Sequence, residues 1–179
     1  MNSKNTLDLK ACFVPSMTVA PLMAMVVLVC TSLGCATGPR VPLRADGSPG
    51  PEKCSDEALK AMRILRLMPE TGAFIEIDEN QIGKSPVILV DGYIESLMDE
   101  ELETLPANTR LYGKVWTDGP LVVIRYYEAQ PPDSDRVPIC GVVRWGPEGV
   151  NGRKLSGSRP GVAVLKLSRA SMWIVDEFH

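Results

Sequence analysis

Six residues of one segment, Arg110, Tyr112, Lys114 and Trp116 followed by Arg125 and Tyr127, are of the two side-chain types from which recognition surfaces are built. Aromatic rings can stack on sugar faces, and arginine forks can hold carboxylates or phosphates. Their spacing of two puts each set on one face of a strand. If Asp118-Gly119 is a two-residue hairpin loop, Trp116 lies opposite Leu121, Lys114 opposite Val123, Tyr112 opposite Arg125 and Arg110 opposite Tyr127. The other face, Leu111, Gly113 and Val115 against Tyr126, Ile124 and Val122, is then core. Such aromatic–cationic pairs are common on the solvent faces of sheets and contribute about 0.5–1 kcal/mol each, so a plain outer surface is the first reading and a ligand platform the second.

Catalytic constellations are missing. The single histidine is His179, the last residue, so no internal imidazole can serve a serine or cysteine nucleophile. No Gly-x-Ser-x-Gly elbow, P-loop or dinucleotide fingerprint occurs. The stretch Gly152-Arg-Lys-Leu-Ser-Gly-Ser-Arg-Pro-Gly161 is basic and glycine-rich enough to hold an anion, but lacks phosphate-loop spacing and reads first as a loop. Asp91 and Glu95 could imitate a glycosidase pair, as any acidic chain can. No metal site and no cofactor is expected.

Of five cysteines, Cys12 and Cys30 lie in the N-terminal segment, and Cys35 follows it. The even pair Cys54 and Cys140 is what an oxidising compartment would join as a disulfide.

That compartment follows from the first residues. Val19–Cys30 is an uncharged, mostly apolar run, too short for a bilayer span and preceded by Lys4 and Lys10. Thr31-Ser32-Leu33-Gly34-Cys35 resembles a bacterial lipobox, with Leu33 two rather than three positions before the cysteine. The expectation is a signal peptide over residues 1–34 and a lipidated (palmitate-bearing) Cys35 that anchors the chain to the cell envelope. Cleavage after Ala36, giving a soluble secreted protein, is the alternative. Ala36 lacks the acidic side chain that marks inner-membrane retention in some bacteria, which favours the outer membrane. The stretch 36–52, with four prolines and three glycines, reads as a flexible tether after Cys35. One globular domain then covers residues 53–179. Beyond residue 34 the formal charge is -4 without a basic stripe, which argues against nucleic acid and against electrostatic adhesion to anionic lipid.

The elements that must position these residues are short. Ser55–Met68 reads as one amphipathic helix, capped by Ser55 and stopped by Pro69. Period-two runs follow at 74–78, 87–90, 93–96, 110–117, 121–128, 137–145, 162–167 and 172–178. Asp91-Gly92, Asp118-Gly119 and Asn151-Gly152 are hairpin dipeptides between them. Asp99–Glu103 is a charge run, read as a solvated connection. The fold class is mostly β (α+β), an N-terminal helix packed on a small antiparallel sheet, barrel or sandwich. Trp145 and Trp173 are expected in the core or at its rim.

Cys54 before a helix, Leu105-Pro-Ala-Asn-Thr-Arg-Leu-Tyr-Gly113, Val137-Pro-Ile-Cys-Gly-Val142 and Ser158-Arg-Pro-Gly161 together resemble an expanded family of small myxobacterial lipoproteins. The resemblance implies paired cysteines at Cys54 and Cys140, and it carries over no assigned activity or catalytic residue. The functional classes left are a non-enzymatic envelope module that binds a protein or a cell-wall glycan, an envelope hydrolase using carboxylates, and an inhibitor or immunity-type protein with Gly152–Gly161 as its protruding loop. A filled barrel favours the first; a cleft with converging carboxylates of raised pKa favours the second.

Overall fold

The structure, a computed structural model, describes residues Val41–His179, which form one compact unit. The expected signal peptide, lipobox and Cys35 lie outside the described residues.

The chain enters with a small turn rather than an open tether. Arg44 N donates to Ser48 O at 2.8 Å, Gly50 N donates to Pro42 O at 2.7 Å, and Ser48 is buried. Residues 41–52 therefore belong to the folded unit. Strand β1 (Glu52–Lys53) pairs antiparallel with β10 (Glu177–Phe178), so the first and last strands of the described unit close on each other.

Helix α1 (Asp56–Ile64) starts at Ser55, whose Oγ accepts from Ala58 N at 3.1 Å. It stops four residues earlier than its apolar pattern suggests. Arg66 adopts a left-handed φ of 59°, Leu67 N donates to Met62 O and Arg66 N to Arg63 O. This is a Schellman end, and its hydrophobic partners are present: Met62 and Leu67 are both buried. α1 packs on β7 through Ala58 and Met62, and the Cys54–Cys140 disulfide fixes it there with a Cα–Cα separation of 6.1 Å.

Six strands close a barrel in the order β2 (Gly72–Glu76), β4 (Gly92–Met98), β5 (Arg110–Trp116), β6 (Val123–Gln130), β7 (Val137–Arg144) and β9 (Arg169–Ile174), every pairing antiparallel. Strands β3 (Val87–Val90) and β8 (Val162–Leu165) leave the barrel between β2 and β4 and between β7 and β9, and pair with each other. The run expected at 172–178 is thus split between β9 and β10. Among the described residues no helix is long and apolar enough to cross a membrane.

The barrel interior is filled by Ile75, Met98, Leu111, Val115, Ile124, Tyr126, Ile139, Met172 and Ile174, all buried. Its one polar thread is satisfied: Tyr126 Oη donates to Ser96 Oγ at 2.6 Å, and Ser96 Oγ donates to Ile77 O at 2.5 Å. Burial holds the Tyr126 phenol well above its ordinary pKa. Two glycines make room for large neighbours. A Cβ at Gly113 would come 2.2 Å from Arg125 O and 2.8 Å from the Tyr126 ring, and one at Gly141 would come 2.9 Å from Met172 Sδ.

None of the three hairpin dipeptides makes a two-residue hairpin. Asp91-Gly92 is the corner where β3 leaves its ribbon and β4 enters the barrel, with Gly92 at a φ of 126°. Asn151-Gly152 ends a short 3-10 turn, Pro147–Gly152, with Gly152 set against the Trp145 ring. The β5–β6 connection runs over 117–122 instead of two residues. Neither Asp118 nor Gly119 takes the positive φ that a type I′ turn requires. Thr117 N and Oγ1 donate instead to Asp91 Oδ1, at 2.5 and 2.7 Å, and Asp118 Oδ1 accepts from Gly161 N. Pro120 has no N–H for a ladder.

The longer loop shifts the hairpin register by two: Trp116 pairs with Val123, Lys114 with Arg125, and Gly113 with Tyr126. A bulge then leaves Tyr127 extra, so that Tyr112 pairs with Glu128 and Arg110 with Gln130. Because the shift is even, the faces survive. Leu111, Gly113, Val115, Ile124 and Tyr126 point inward as expected, and every cross-strand partner changes.

Candidate functional site: a polar hollow on the barrel wall

The expected six-residue ladder separates into two groups with different surroundings. Trp116, Arg125 and Tyr127 lie beneath the β1–β10 ribbon. Arg125 is 1% exposed, although alternation along β6 would send it to solvent. Its Nη1 donates to Glu52 Oε2 at 3.2 Å, and its Nη2 donates to Gly50 O at 2.8 Å and His179 O at 3.3 Å. The guanidinium also stands 4.9 Å from the Phe178 ring centroid and 5.6 Å from that of Trp116. Tyr127 Oη donates to the same Glu52 Oε2 at 2.8 Å, and its ring meets Phe178 edge-on at 5.5 Å. Burial lowers the Arg125 pKa while Tyr127 and Glu52 oppose that shift; burial first, then Glu52, raise the Tyr127 phenol. Arg125 and Tyr127 fasten the Gly50–Glu52 and Phe178–His179 segments to the barrel, and Arg125 is closed to solvent.

Lys114 remains on the surface with its Nζ 5.4 Å from the Tyr93 ring centroid. Arg110 and Tyr112 form the second group. They line an open hollow of about 630 Å³ together with Leu97, Asn108, Gln130, Pro131, Pro132 and Asp133. Its floor is the register level at which Leu97, Arg110 and Gln130 lie side by side on β4, β5 and β6. Its rim is the turn after β6 and the left-handed Asn108 before β5.

The polar groups of the hollow are held in place. Tyr112 Oη donates to Gln130 Oε1 at 2.8 Å, and Gln130 Nε2 donates to Ser134 O at 3.1 Å. The Arg136 guanidinium covers one face of the Tyr112 ring at 3.5 Å and donates to Glu128 at 3.2 Å. Arg110 Nη1 donates to Glu79 Oε2 at 2.5 Å and to Glu95 Oε1. Both carboxylates thus converge on one nitrogen, just outside the residues that line the hollow. Glu79 is raised above the ordinary glutamate range, by burial first and by the Glu95 charge second, against the lowering effect of Arg110.

The pair flagged in the sequence, Asp91 with Glu95, is not assembled: Asp91 faces Thr117, whereas Glu95 faces Arg110. Glu79 was invisible as its partner because it sits on a three-residue 3-10 turn, Glu79–Gln81, that only the barrel brings beside β4. Gly152–Gly161 is no free loop. Leu155 N donates to Val164 O, Arg153 bridges Leu121, and Ser158 Oγ accepts from Val164 N. Trp145 is core, with its Nε1 donating to Val122 O at 2.6 Å, and Trp173 lies at the rim beside Arg144. Asp99–Glu103 is a connection whose charges are used: Asp99 pairs with Arg169 at 2.6 Å and Glu100 Oε1 accepts from Phe74 N at 2.8 Å. Among the described residues no group of three or more His, Cys, Asp or Glu side chains is placed to hold a metal ion.

No protein-family model and no curated protein matches the chain.

Proposed function

We propose that the domain is a non-enzymatic binding module of the cell envelope, lipid-anchored through Cys35, and that it holds a cell-wall glycan in the hollow around Arg110 and Tyr112. The observation that carries this reading is the contrast between a barrel packed to its centre and a wall bearing an aromatic ring among planar polar side chains. Arginine, asparagine, glutamine and aspartate, here Arg110, Asn108, Gln130 and Asp133, match the donor and acceptor pairs of sugar hydroxyls. A hydrogen-bonded tyrosine gives an apolar face at little entropic cost. The test is sedimentation of oxidised Val41–His179 with purified cell wall, beside Arg110→Ala/Tyr112→Ala. Saturable binding lost by the folded double variant supports the reading; binding kept by it moves the site elsewhere.

A second reading, a hydrolase using carboxylates, is favoured by one observation: Glu79 and Glu95 converge and Glu79 holds its proton to higher pH than a free glutamate. Glycan cleavage lost in Glu79→Gln with binding retained would select it.

A further inference from the structure

The charges around the hollow are not equally free. Arg110 Nη1 is shared by Glu79 and Glu95, while the Arg136 guanidinium lies on the Tyr112 ring and donates to Glu128 at 3.2 Å. The arginine fork that could hold a carboxylate or phosphate is thus occupied by this chain's own glutamates. Asp133 differs. It lines the hollow, is exposed, and has no ion-pair partner among the described residues.

The Asp133 carboxylate is also held in position. Asp133 stands at a left-handed φ of 57° as the third residue of a turn closed by Ser134 N donating to Pro131 O at 3.2 Å. Such a turn wants proline second and a residue that tolerates positive φ third, which Pro132 and Asp133 supply. Ser134 O accepts from Gln130 Nε2 at 3.1 Å, and Gln130 Oε1 accepts from Tyr112 Oη. The turn is therefore bonded, through Gln130, to the aromatic ring of the same hollow.

The surroundings carry the same sign. Glu79, Glu95, Glu128 and Asp133, with the exposed Asp135 two residues on, outnumber Arg110, Arg136 and Lys114, which stands two residues beyond Tyr112 on β5 and over the Tyr93 ring. Asp78 behind Glu79 is offset by Lys84, whose Nζ donates to Asn80 O. Burial first and the Glu95 charge second already hold Glu79 above its ordinary range. A ligand carboxylate brought to Arg110 would be the third on one guanidinium, and like charges set side by side penalise binding. Arg110 Nε and Nη2 stay available to neutral oxygens.

We propose that the hollow selects a glycan bearing free amino groups, a hexosamine whose ammonium meets the Asp133 carboxylate while Arg110 donates to its hydroxyls, and rejects glycans carrying uronates or phosphates. This rests on the glycan reading and names the substrate class within it. Selection comes from the charge left unpaired as much as from the contact made.

The test is calorimetric titration of oxidised Val41–His179, the compact unit that holds every residue named here, at low salt in weakly acid buffer, where sugar amines are protonated. The probes are the glucosamine tetramer, its fully N-acetylated counterpart and the galacturonate tetramer. The glucosamine tetramer should bind at least about tenfold more tightly than the acetylated one, and the galacturonate tetramer should not bind. Asp133→Asn keeps a residue that tolerates the left-handed φ, and its melting temperature checks the fold. It should weaken glucosamine binding about fivefold and leave the acetylated tetramer unchanged, whereas Asp135→Asn, outside the hollow, should change neither. Equal affinity for all probes, tightest binding of galacturonate, or equal loss in the two asparagine variants overturns the proposal and leaves the glycan reading standing. Binding of no probe also overturns it, and sedimentation of wild type with cell wall then decides whether the glycan reading falls too.

Discussion

Arg125 Nη1 donates to Glu52 Oε2 across 3.2 Å, and this contact joins the middle of the barrel wall to the first strand of the chain. The same guanidinium donates to a carbonyl on each side of it, Gly50 O at the start and His179 O at the end. One buried cation thus serves as the common fastener of the Gly50–Glu52 segment and the C-terminal residue. A segment begun after Gly50 would leave that cation short of a partner.

Removing this cation leaves the Gly50 and His179 carbonyls without its donors and takes one of two donors from the partly buried Glu52 carboxylate. Arg125→Gln should cost about 3–5 kcal/mol in urea unfolding. Arg110→Gln, whose side chain is half exposed, should cost under about 1 kcal/mol. Equal losses would mean that Arg125 is solvated like a surface residue.

Gly113 faces the Tyr126 ring and the Arg125 carbonyl. Gly113→Ala should destabilise the domain by about 1–3 kcal/mol or more, because β5 and β6 must part to admit the methyl group. An unchanged melting temperature would show that the bulge at Tyr127 absorbs it.

The Cys54–Cys140 bond closes a sequence separation of 86 residues. Loop-closure entropy gives it on the order of 4 kcal/mol in the chain-entropy account. Cys54→Ala/Cys140→Ala should lower the urea midpoint accordingly and leave the far-ultraviolet spectrum native at low denaturant. No shift would mean that Met62 and its neighbours hold α1 unaided.

Much of this architecture was legible because period two survives errors of register. The even shift at 117–122 kept Leu111, Val115 and Ile124 inside while changing every cross-strand pair. The hairpin signal Asp118-Gly119 misled because side chains far along the chain, Asp91 and Lys154, claim the backbone of Thr117. The site was half legible. Arg110 and Tyr112 were found by their spacing, whereas Glu79, Gln130 and Asp133 come together only through barrel closure. Arg125 looked like surface because nothing local announces that β1 and β10 will cover it.

Glu79 carries the pH prediction. Its folded pKa is raised, so the folded state favours its protonated form; this contribution is complete below the ordinary glutamate range and is lost as pH rises through the folded value. Glu79→Gln should therefore gain stability relative to wild type as pH rises through that window, with the difference closing in acid. Glu70, held by Arg144 at 2.6 Å, shifts the other way: its contribution is present above the ordinary range and is lost as pH falls. Carboxyl-carbon NMR titration should show Glu79 titrating after Glu70.

The central claim, a glycan held at the Arg110–Tyr112 hollow, is tested most directly by amide NMR of Val41–His179 titrated with soluble cell-wall glycan fragments. The expected result is saturable shifts confined to the amides of Leu97, Asn108, Arg110, Tyr112, Gln130 and Asp133, abolished in Arg110→Ala/Tyr112→Ala. Shifts clustered elsewhere, or none at millimolar fragment, would contradict it.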